Sequence, residues 1–163
     1  MNSLREPSAA KSSAEAASAE TTPAELNKLL GRVVVAIGAD LCDIDRMRTT
    51  IDRQPRFVER VFTLEERVYC DKRRDPAERY AARFAAKEAV LKVLGTGLGG
   101  ADFADIEVIR LDSGKPELVV TGRAAAAAQE LGIVSWLITM SHSEHLAQVF
   151  VAGLGEPTGE SKS

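Results

Sequence analysis

The chain has 163 residues, 45% of them hydrophobic, so it can bury the core of one domain and is not disordered throughout. Lysine and arginine total 21 against 24 aspartates and glutamates, and a net charge of −3 gives no overall signal for nucleic-acid binding. The two cysteines lack C-x-x-C spacing, which favours reduced thiols in the cytoplasm over a disulfide scaffold or a zinc site. We expect neither a membrane span nor a secretory signal, because no apolar run is long enough.

The N-terminal part is predicted to lie outside the folded body. Residues 1–21 are mostly alanine, serine and glutamate, a composition that predicts disorder. Thr22 and Glu25 then form a capping-box pattern that predicts a short helix ended by Gly31. The predicted organisation is therefore an N-terminal extension at 1–31, one folded domain at 32–153 and a polar tail at 154–163.

The folded domain is predicted to begin with a buried strand from Val33 to Ile37, because this run is β-branched and apolar. A helix from Asp43 to Arg53 follows. A strand end holds a side chain rigidly at an open sheet edge, so Asp40 is a candidate for chemistry. The alternative for Asp40 is a helix N-cap, and the sequence leaves both open.

An arginine-rich stretch follows, with Phe57 interleaved. Its arginines are Arg46, Arg48, Arg53, Arg56 and Arg60. A solvated helix face is the common explanation for such a run. The alternative is a docking surface for an acidic protein, with Phe57 as an apolar anchor. A nucleic-acid site is disfavoured in so acidic a chain.

The longest predicted helix starts near Asp75-Pro76 and stops at Gly95, after a second capping box formed by Thr63 and Glu66. It is apolar nearly all round, so we expect it to be buried, with only the side carrying Arg79 and Arg83 exposed to water.

Glu88 lies in the middle of an apolar face of this helix, where a carboxylate needs a partner. An ion pair with Lys92 one turn away is one explanation. A metal-binding carboxylate, with Lys87 and Lys92 holding an anion nearby, is the other. The sequence does not decide between them.

The glycine-rich segment at 95–100 follows the end of a helix, where the dipole repels anions, so it is not a P-loop. It is either a flexible connection or a turn whose N–H groups assist Lys87 and Lys92 in holding a phosphate. A hairpin across Gly114-Lys115-Pro116, a helix at 124–131 and a second hairpin containing His142 complete the chain. This order predicts an α+β fold with an antiparallel sheet packed on a long central helix.

Four motifs, in order and at matching distances, resemble those of the holo-[acyl-carrier-protein] synthases. They are GADLCDIDR at 38–46, RFAAKEAVLKVLGTG at 83–97, Gly114-Lys115-Pro116, and Ser141-His142-Ser143. The resemblance covers about 32–153. It implies an enzyme that moves the 4′-phosphopantetheine of coenzyme A to a serine of apo-acyl carrier protein, requires Mg²⁺, and is usually a homotrimer with active sites between subunits.

The resemblance also implies roles for individual residues. Asp40 and Glu88 would bind Mg²⁺ and act in catalysis together with Lys92. The contacts with coenzyme A would come from Lys87, Lys92, Gly95, Thr96, Gly97, Lys115, Pro116 and His142. A basic helix from Arg46 to Phe57 would dock the carrier protein, through Arg46, Arg53, Arg56 and Phe57. The alternative function is a non-catalytic module that binds an acidic helical partner through Arg46 to Arg60, which would have no need to pair Asp40 with Glu88.

Overall fold

The computed structural model describes residues 31–157 of the chain. The strands and helices, in chain order, are β1 (Val33–Asp43), α1 (Ile44–Arg53), α2 (Pro55–Val61), α3 (Leu64–Cys70), α4 (Ala77–Leu94), α5 (Gly97–Gly100), β2 (Ile106–Arg110), β3 (Pro116–Val120), α6 (Gly122–Glu130), β4 (Ile133–His142) and β5 (Leu146–Gly155). A 3₁₀ turn, Phe103–Asp105, precedes β2. Among these residues no helix is both long and apolar enough to cross a bilayer.

The main sheet has three antiparallel strands in the order β1–β5–β4, and β2 and β3 form a separate hairpin. Alternate side chains of the main sheet point to opposite sides. One side packs on the central helix α4 and buries Val149 and Val151 of β5. The other side, which we call the outer sheet face, carries Ile37, Leu41, Leu137 and Phe150.

The central helix fills the space between the sheet, the hairpin and α6. Its alanines Ala85, Ala86 and Ala89 are fully buried, and small side chains let the neighbouring elements approach closely. Val90 and Leu91 are also buried, and burying a side chain of this size contributes roughly 1.5–3 kcal/mol. The helix is therefore held by packing on nearly every side, as its composition predicts.

A second cluster of buried side chains joins α1, α2 and α3 to the first turns of α4. Met47, Phe62 and Tyr80 are its large members, and the rings of Phe62 and Tyr80 lie 4.8 Å apart. The capping box predicted at the start of α3 is confirmed. Thr63 Oγ1 accepts from the Glu66 backbone N–H, and a Glu66 carboxylate oxygen accepts from the Thr63 N–H.

The α+β fold, the antiparallel sheet and the order of elements are confirmed. Three details are corrected. Strand β1 runs to Asp43 and is not buried throughout, since 76% of Ile37 is exposed. Strand β5 continues to Gly155, so residues 154 and 155 belong to the folded domain and not to a polar tail. Arg83, predicted to be wet, is only 5% exposed.

The predicted basic helix from Arg46 to Phe57 is instead two helices, α1 and α2, that meet at Gln54. Pro55 is the reason, because it offers no backbone N–H to continue the first helix and restricts the residue before it. The capping box at Thr22 and Glu25 lies outside the described residues, as does most of the predicted extension.

Candidate active site

Asp40 lies in β1 and faces the central helix. Gly38, two residues earlier, faces the same way, and a Cβ at that position would lie 2.1 Å from the Ala89 carbonyl oxygen. Only glycine allows the strand and the helix to approach this closely. The close approach places Asp40 beside the turn of helix α4 that carries Glu88 and Lys92.

Lys92 connects the helix to the strand. Its Nζ donates to Asp40 Oδ1 at 2.8 Å and to the Ala39 carbonyl oxygen at 2.7 Å. Lys92 thus forms an ion pair with Asp40, and not the pair with Glu88 that was one of the two explanations left open by the sequence. The N-cap of α1 is Asp43, which accepts from the Arg46 backbone N–H, so the N-cap alternative for Asp40 is wrong.

Glu88 is half-buried, and its burial raises the pKa of its carboxyl group above the usual value. The negative charge of Asp40 raises this pKa further, whereas Lys92 lowers it. The electrostatic effect of Asp40 on Glu88 means that the strand and the helix bring two carboxylates to one place. A cation bound between them would relieve their repulsion.

This donor set fits Mg²⁺. The ion prefers one or two carboxylates together with phosphate oxygens and water, and seldom occupies a site made by protein ligands alone. No group of three or more histidine, cysteine, aspartate or glutamate side chains within residues 31–157 is gathered as a metal site. The two carboxylates would therefore hold Mg²⁺ only together with oxygens of a bound phosphate.

Cys42 lies on the same side of β1 as Asp40. Burial raises the pKa of its thiol to about 11, and the nearby charges of Asp40 and Asp43 act in the same direction. Since the thiolate is the reactive form of cysteine, Cys42 is protonated at neutral pH and does not act as a nucleophile here. Both Cys42 and Cys70 are free thiols.

Lys87 is placed differently from the prediction. Its side chain is 0% exposed, and its Nζ lies 2.7 Å from Glu66 Oε2. It also donates to the carbonyl oxygens of Phe103 and Ile106. Lys87 therefore has no exposed surface from which to meet a phosphate in this structure.

The turn after the central helix is shaped by glycines. Gly95 and Gly97 have φ values of +67° and +58°, in the left-handed region that side chains disfavour. Thr96 Oγ1 is buried and has no hydrogen-bond partner. The side chain of Thr96 packs against Gly100, where a Cβ would lie 2.2 Å from the Thr96 Cβ. The surface that this turn offers a ligand is accordingly its backbone.

The other predicted ligand contacts lie apart from the two carboxylates. Lys115 and Pro116 line a groove of about 670 Å³ between β3, α6 and β4, together with Trp136, and neither Asp40 nor Glu88 lines it. His142 ends β4 and pairs with Glu78 of the central helix, with 3.3 Å between Nε2 and Oε1. Within one chain, the structure thus brings together Asp40, Glu88 and Lys92 but does not add Lys115 and Pro116 to them.

The arginines of α1 and α2 fall into two groups. Arg46, Arg53, Arg56 and Arg60 are exposed, and no ion pair within residues 31–157 involves their side chains. Arg48 instead bridges Asp45 and Asp75, and so ties α1 to the loop before the central helix. Phe57 is half-buried, with its ring 5.8 Å from that of Phe84. The stretch therefore presents a basic surface, and the half-buried ring of Phe57 packs beneath it.

The sequence comparison identifies the family of the chain. A family model described as the 4′-phosphopantetheinyl transferase superfamily matches residues 36–149, which is most of the folded domain. The chain belongs to this superfamily. It is 40% identical over 123 residues to the holo-[acyl-carrier-protein] synthase of Caldanaerobacter subterraneus, covering 75% of this chain and 97% of that protein. The corresponding protein of Methylobacterium radiotolerans is 47% identical over 125 residues, covering 73% and 92%.

Solved structures of the superfamily share the fold. The holo-ACP-synthase of Plasmodium yoelii is 26% identical, with a TM-score of 0.69 over 77% of this chain and 98% of that one. The synthase of Bacillus anthracis, in complex with CoA (3′,5′-ADP), is 32% identical, with a TM-score of 0.64 over 76% and 98%. The fold predicted from the family resemblance is therefore confirmed.

Two features of this superfamily member were not predicted from its sequence. The first is the buried pair formed by Glu66 and Lys87. The capping box explained Glu66 fully, so no residue pattern called for a second partner. The second is the outer sheet face, of which Ile37 is a part. The uninterrupted apolar run at the start of β1 predicted burial on both faces instead, because such a run is typical of a strand buried on both sides.

Proposed function

We propose that this chain is a holo-[acyl-carrier-protein] synthase. It transfers the 4′-phosphopantetheine of coenzyme A to a serine of an apo-acyl carrier protein and releases adenosine 3′,5′-bisphosphate. The observation that carries the proposal is the meeting of Asp40, Glu88 and Lys92 between β1 and the central helix. A protein that only binds a partner through its arginines has no use for this pair of carboxylates. We place the activity in the cytoplasm and in fatty acid biosynthesis.

The chemistry is a displacement at phosphorus. The serine oxygen forms a bond to the phosphorus that carries pantetheine, and the bond from that phosphorus to the leaving nucleotide phosphate breaks. Such transfers depend on positioning and charge neutralisation more than on covalent help from the protein. Asp40 and Glu88 are the residues that would hold Mg²⁺, which when bound supplies positive charge to the pyrophosphate oxygens.

The remaining roles belong to the side chains around the pair. Lys92 is 52% exposed at its side chain, so its ammonium can meet the leaving phosphate while it holds Asp40 in place. The serine proton needs an acceptor. We assign this role to Glu88, the carboxylate that lies beside Asp40 and Lys92.

Coenzyme A contacts the Gly95-Thr96-Gly97 turn through the backbone of the turn. Lys115, Pro116 and His142 complete the contacts, but Lys115 and Pro116 line a groove that the carboxylates do not share. A second copy of the chain could bring its Lys115 and Pro116 close to the carboxylates of the first copy. The exposed apolar side chains of the outer sheet face supply a surface for it, since 76% of Ile37, 60% of Leu41 and 51% of Phe150 are exposed in the single chain. We therefore propose a homotrimer whose active sites lie between subunits.

The acyl carrier protein docks on the basic surface of α1 and α2. Exposed arginines attract an acidic partner and orient it before contact. Phe57 packs against the aromatic rings of Phe62 and Phe84, so it anchors α2, which carries part of this surface.

Replacing Arg46 with glutamate tests the docking surface. We expect the KM for the carrier protein to rise about tenfold, because the change puts a repelling charge on the basic surface, while the KM for coenzyme A changes less than about twofold. Arg123→Glu, the same charge change at an exposed position of α6, is the control, and its KM for the carrier protein should not change. An unchanged value for Arg46→Glu would remove α1 from the docking surface.

The experiment that tests the function is intact-mass spectrometry of several apo-acyl carrier proteins. Each is incubated with this protein, coenzyme A and Mg²⁺, and a parallel sample contains EDTA. A mass gain of one phosphopantetheine that disappears with EDTA would support both the reaction and the need for the metal. A folded protein that binds these carriers without any mass gain would contradict the enzyme and support a non-catalytic module docking through Arg46 to Arg60.

A further inference from the structure

Lys87 and Glu66 form an ion pair inside the protein, where neither side chain is exposed. Lys87 Nζ lies 2.7 Å from Glu66 Oε2, and it donates to the carbonyl oxygens of Phe103, at 2.9 Å, and of Ile106. An ammonium group has three N–H donors. These three acceptors use all of them, so no donor of Lys87 is left for a ligand.

Each carboxylate oxygen of Glu66 also accepts a backbone hydrogen bond. Its Oε1 accepts from the Val108 backbone N–H at 3.0 Å, and its Oε2 accepts from the Thr63 N–H at 3.1 Å. The pair thus joins the start of α3, the middle of the central helix, the 3₁₀ turn and strand β2. A buried pair of this kind adds little to net stability but can favour one arrangement of the elements it joins.

Residues 95–102 connect the central helix to the 3₁₀ turn. The glycine-rich segment at 95–100 is followed by Ala101, which is buried, and by Asp102, which pairs with Arg123 on the surface. The glycine-rich segment has few side chains with which to hold itself in place, and a Cβ on Gly95, Gly97 or Gly99 would meet no atom within 4 Å. Its near end is fixed by the cap of the helix, where the Gly95 N–H donates to the Lys92 carbonyl oxygen. Beyond its far end, the 3₁₀ turn is tied to the central helix by the hydrogen bond from Lys87 Nζ to the Phe103 carbonyl oxygen.

We infer that Lys87, held by Glu66, is a positioning residue that fixes the glycine-rich segment relative to Glu88 and so sets the affinity for coenzyme A. The inference rests on the proposed function, in which the backbone of this segment meets the coenzyme A molecule. Lys87 and Glu88 are adjacent on one helix, so the same rigid element carries the reactive carboxylate and the anchor. A misplacement of about 1 Å in such a site can cost on the order of 100-fold in rate.

The test uses the full-length double variant Lys87→Met/Glu66→Gln. Lys87→Met alone would leave the Glu66 charge buried without a partner, which is expected to prevent folding. In the double variant the glutamine that replaces Glu66 can still accept from the Val108 N–H, and methionine fills a similar volume, but the bonds to the Phe103 and Ile106 carbonyls are lost. We expect a folded protein whose KM for coenzyme A is raised about tenfold, while the KM for the carrier protein changes less than about twofold.

The control is Glu130→Gln, which removes an exposed carboxylate at the end of α6 and should leave both KM values unchanged. A second measurement needs no activity. Hydrogen exchange in the free protein should be at least about tenfold faster for the amides of 95–106 in the double variant than in the wild type, with no change in α1.

A folded double variant with wild-type KM for coenzyme A and unchanged exchange would overturn the inference, since the pair would then have only a structural role. A lower kcat with unchanged KM values for both substrates would overturn the inference as well. If the wild-type chain modified no carrier protein, the proposed function would fail, whereas the exchange measurement would still decide whether Lys87 anchors the segment.

Discussion

Glu88→Gln is expected to reduce phosphopantetheine transfer by at least about 100-fold, equivalent to about 2.7 kcal/mol of transition-state stabilisation. Glutamine keeps the size of the side chain but removes the negative charge that, with Asp40, would hold Mg²⁺. It also removes the carboxylate that we assign as proton acceptor. The measurement is kcat/KM from the mass-spectrometric transfer assay at several Mg²⁺ concentrations.

The same substitution should leave the fold intact and not lower its thermal stability. Burial and the charge of Asp40 raise the pKa of Glu88 in the folded protein. A carboxyl group with a raised folded pKa destabilises the fold once it is ionised, so stability is lost as the pH rises through that pKa. At neutral pH, glutamine removes this penalty. Lost activity with an unchanged or higher Tm therefore separates chemistry from unfolding.

The control for this variant is Glu130→Gln, an exposed glutamate at the end of α6, which should retain full activity. Near-normal turnover by the Glu88→Gln enzyme would remove Glu88 from both of its proposed roles. In that case the raised pKa of Glu88 would reflect only its burial and the nearby charge of Asp40.

Ile37→Glu is expected to convert the proposed trimer into monomers and to abolish transfer. Ile37 is 76% exposed in the single chain and lies on the outer sheet face, with its side chain directed away from the central helix. A buried unpaired charge at an interface costs several kcal/mol in each subunit, so the interface should not form. Light scattering coupled to size-exclusion chromatography measures the mass, and the transfer assay measures the loss.

Leu64→Glu is the matched control, because Leu64 is also a strongly exposed apolar residue, at 62%, but lies on α3 and away from this face. It should leave both the mass and the activity unchanged. An Ile37→Glu protein that is folded, monomeric and fully active would show that one chain contains the whole site. A wild-type chain that is already monomeric and active would lead to the same conclusion.

Much of the central helix was predictable from the sequence. Proline before its first turn and glycine after its last mark its ends, and apolar residues on nearly all sides mark it as buried. Glu88 stood out against that background, since a carboxylate in an apolar face requires an explanation. Local signals of this kind are reliable, because capping and burial of a helix depend on residues only a few positions apart.

The partners of the charged side chains were not predictable in the same way. Lys87 and Lys92 are both close to Glu88 in sequence, and both were assigned to phosphate. The structure turns Lys87 inward to Glu66 and two backbone carbonyls, and turns Lys92 toward Asp40. Ion pairs between residues far apart in the chain depend on how helices and strands pack, which the order of residues does not reveal.

The sequence by itself determined the order of the elements, the family motifs and the residue types needed for the chemistry. Only the tertiary structure decided that Gly38 lets β1 approach the helix closely enough for Asp40 and Glu88 to interact. It alone showed that alternate residues of the apolar strand β1 face solvent in the single chain. Hydrophobic patterning indicates that a side chain avoids water. It does not indicate whether that side chain packs against a helix of the same chain or against another copy of the chain.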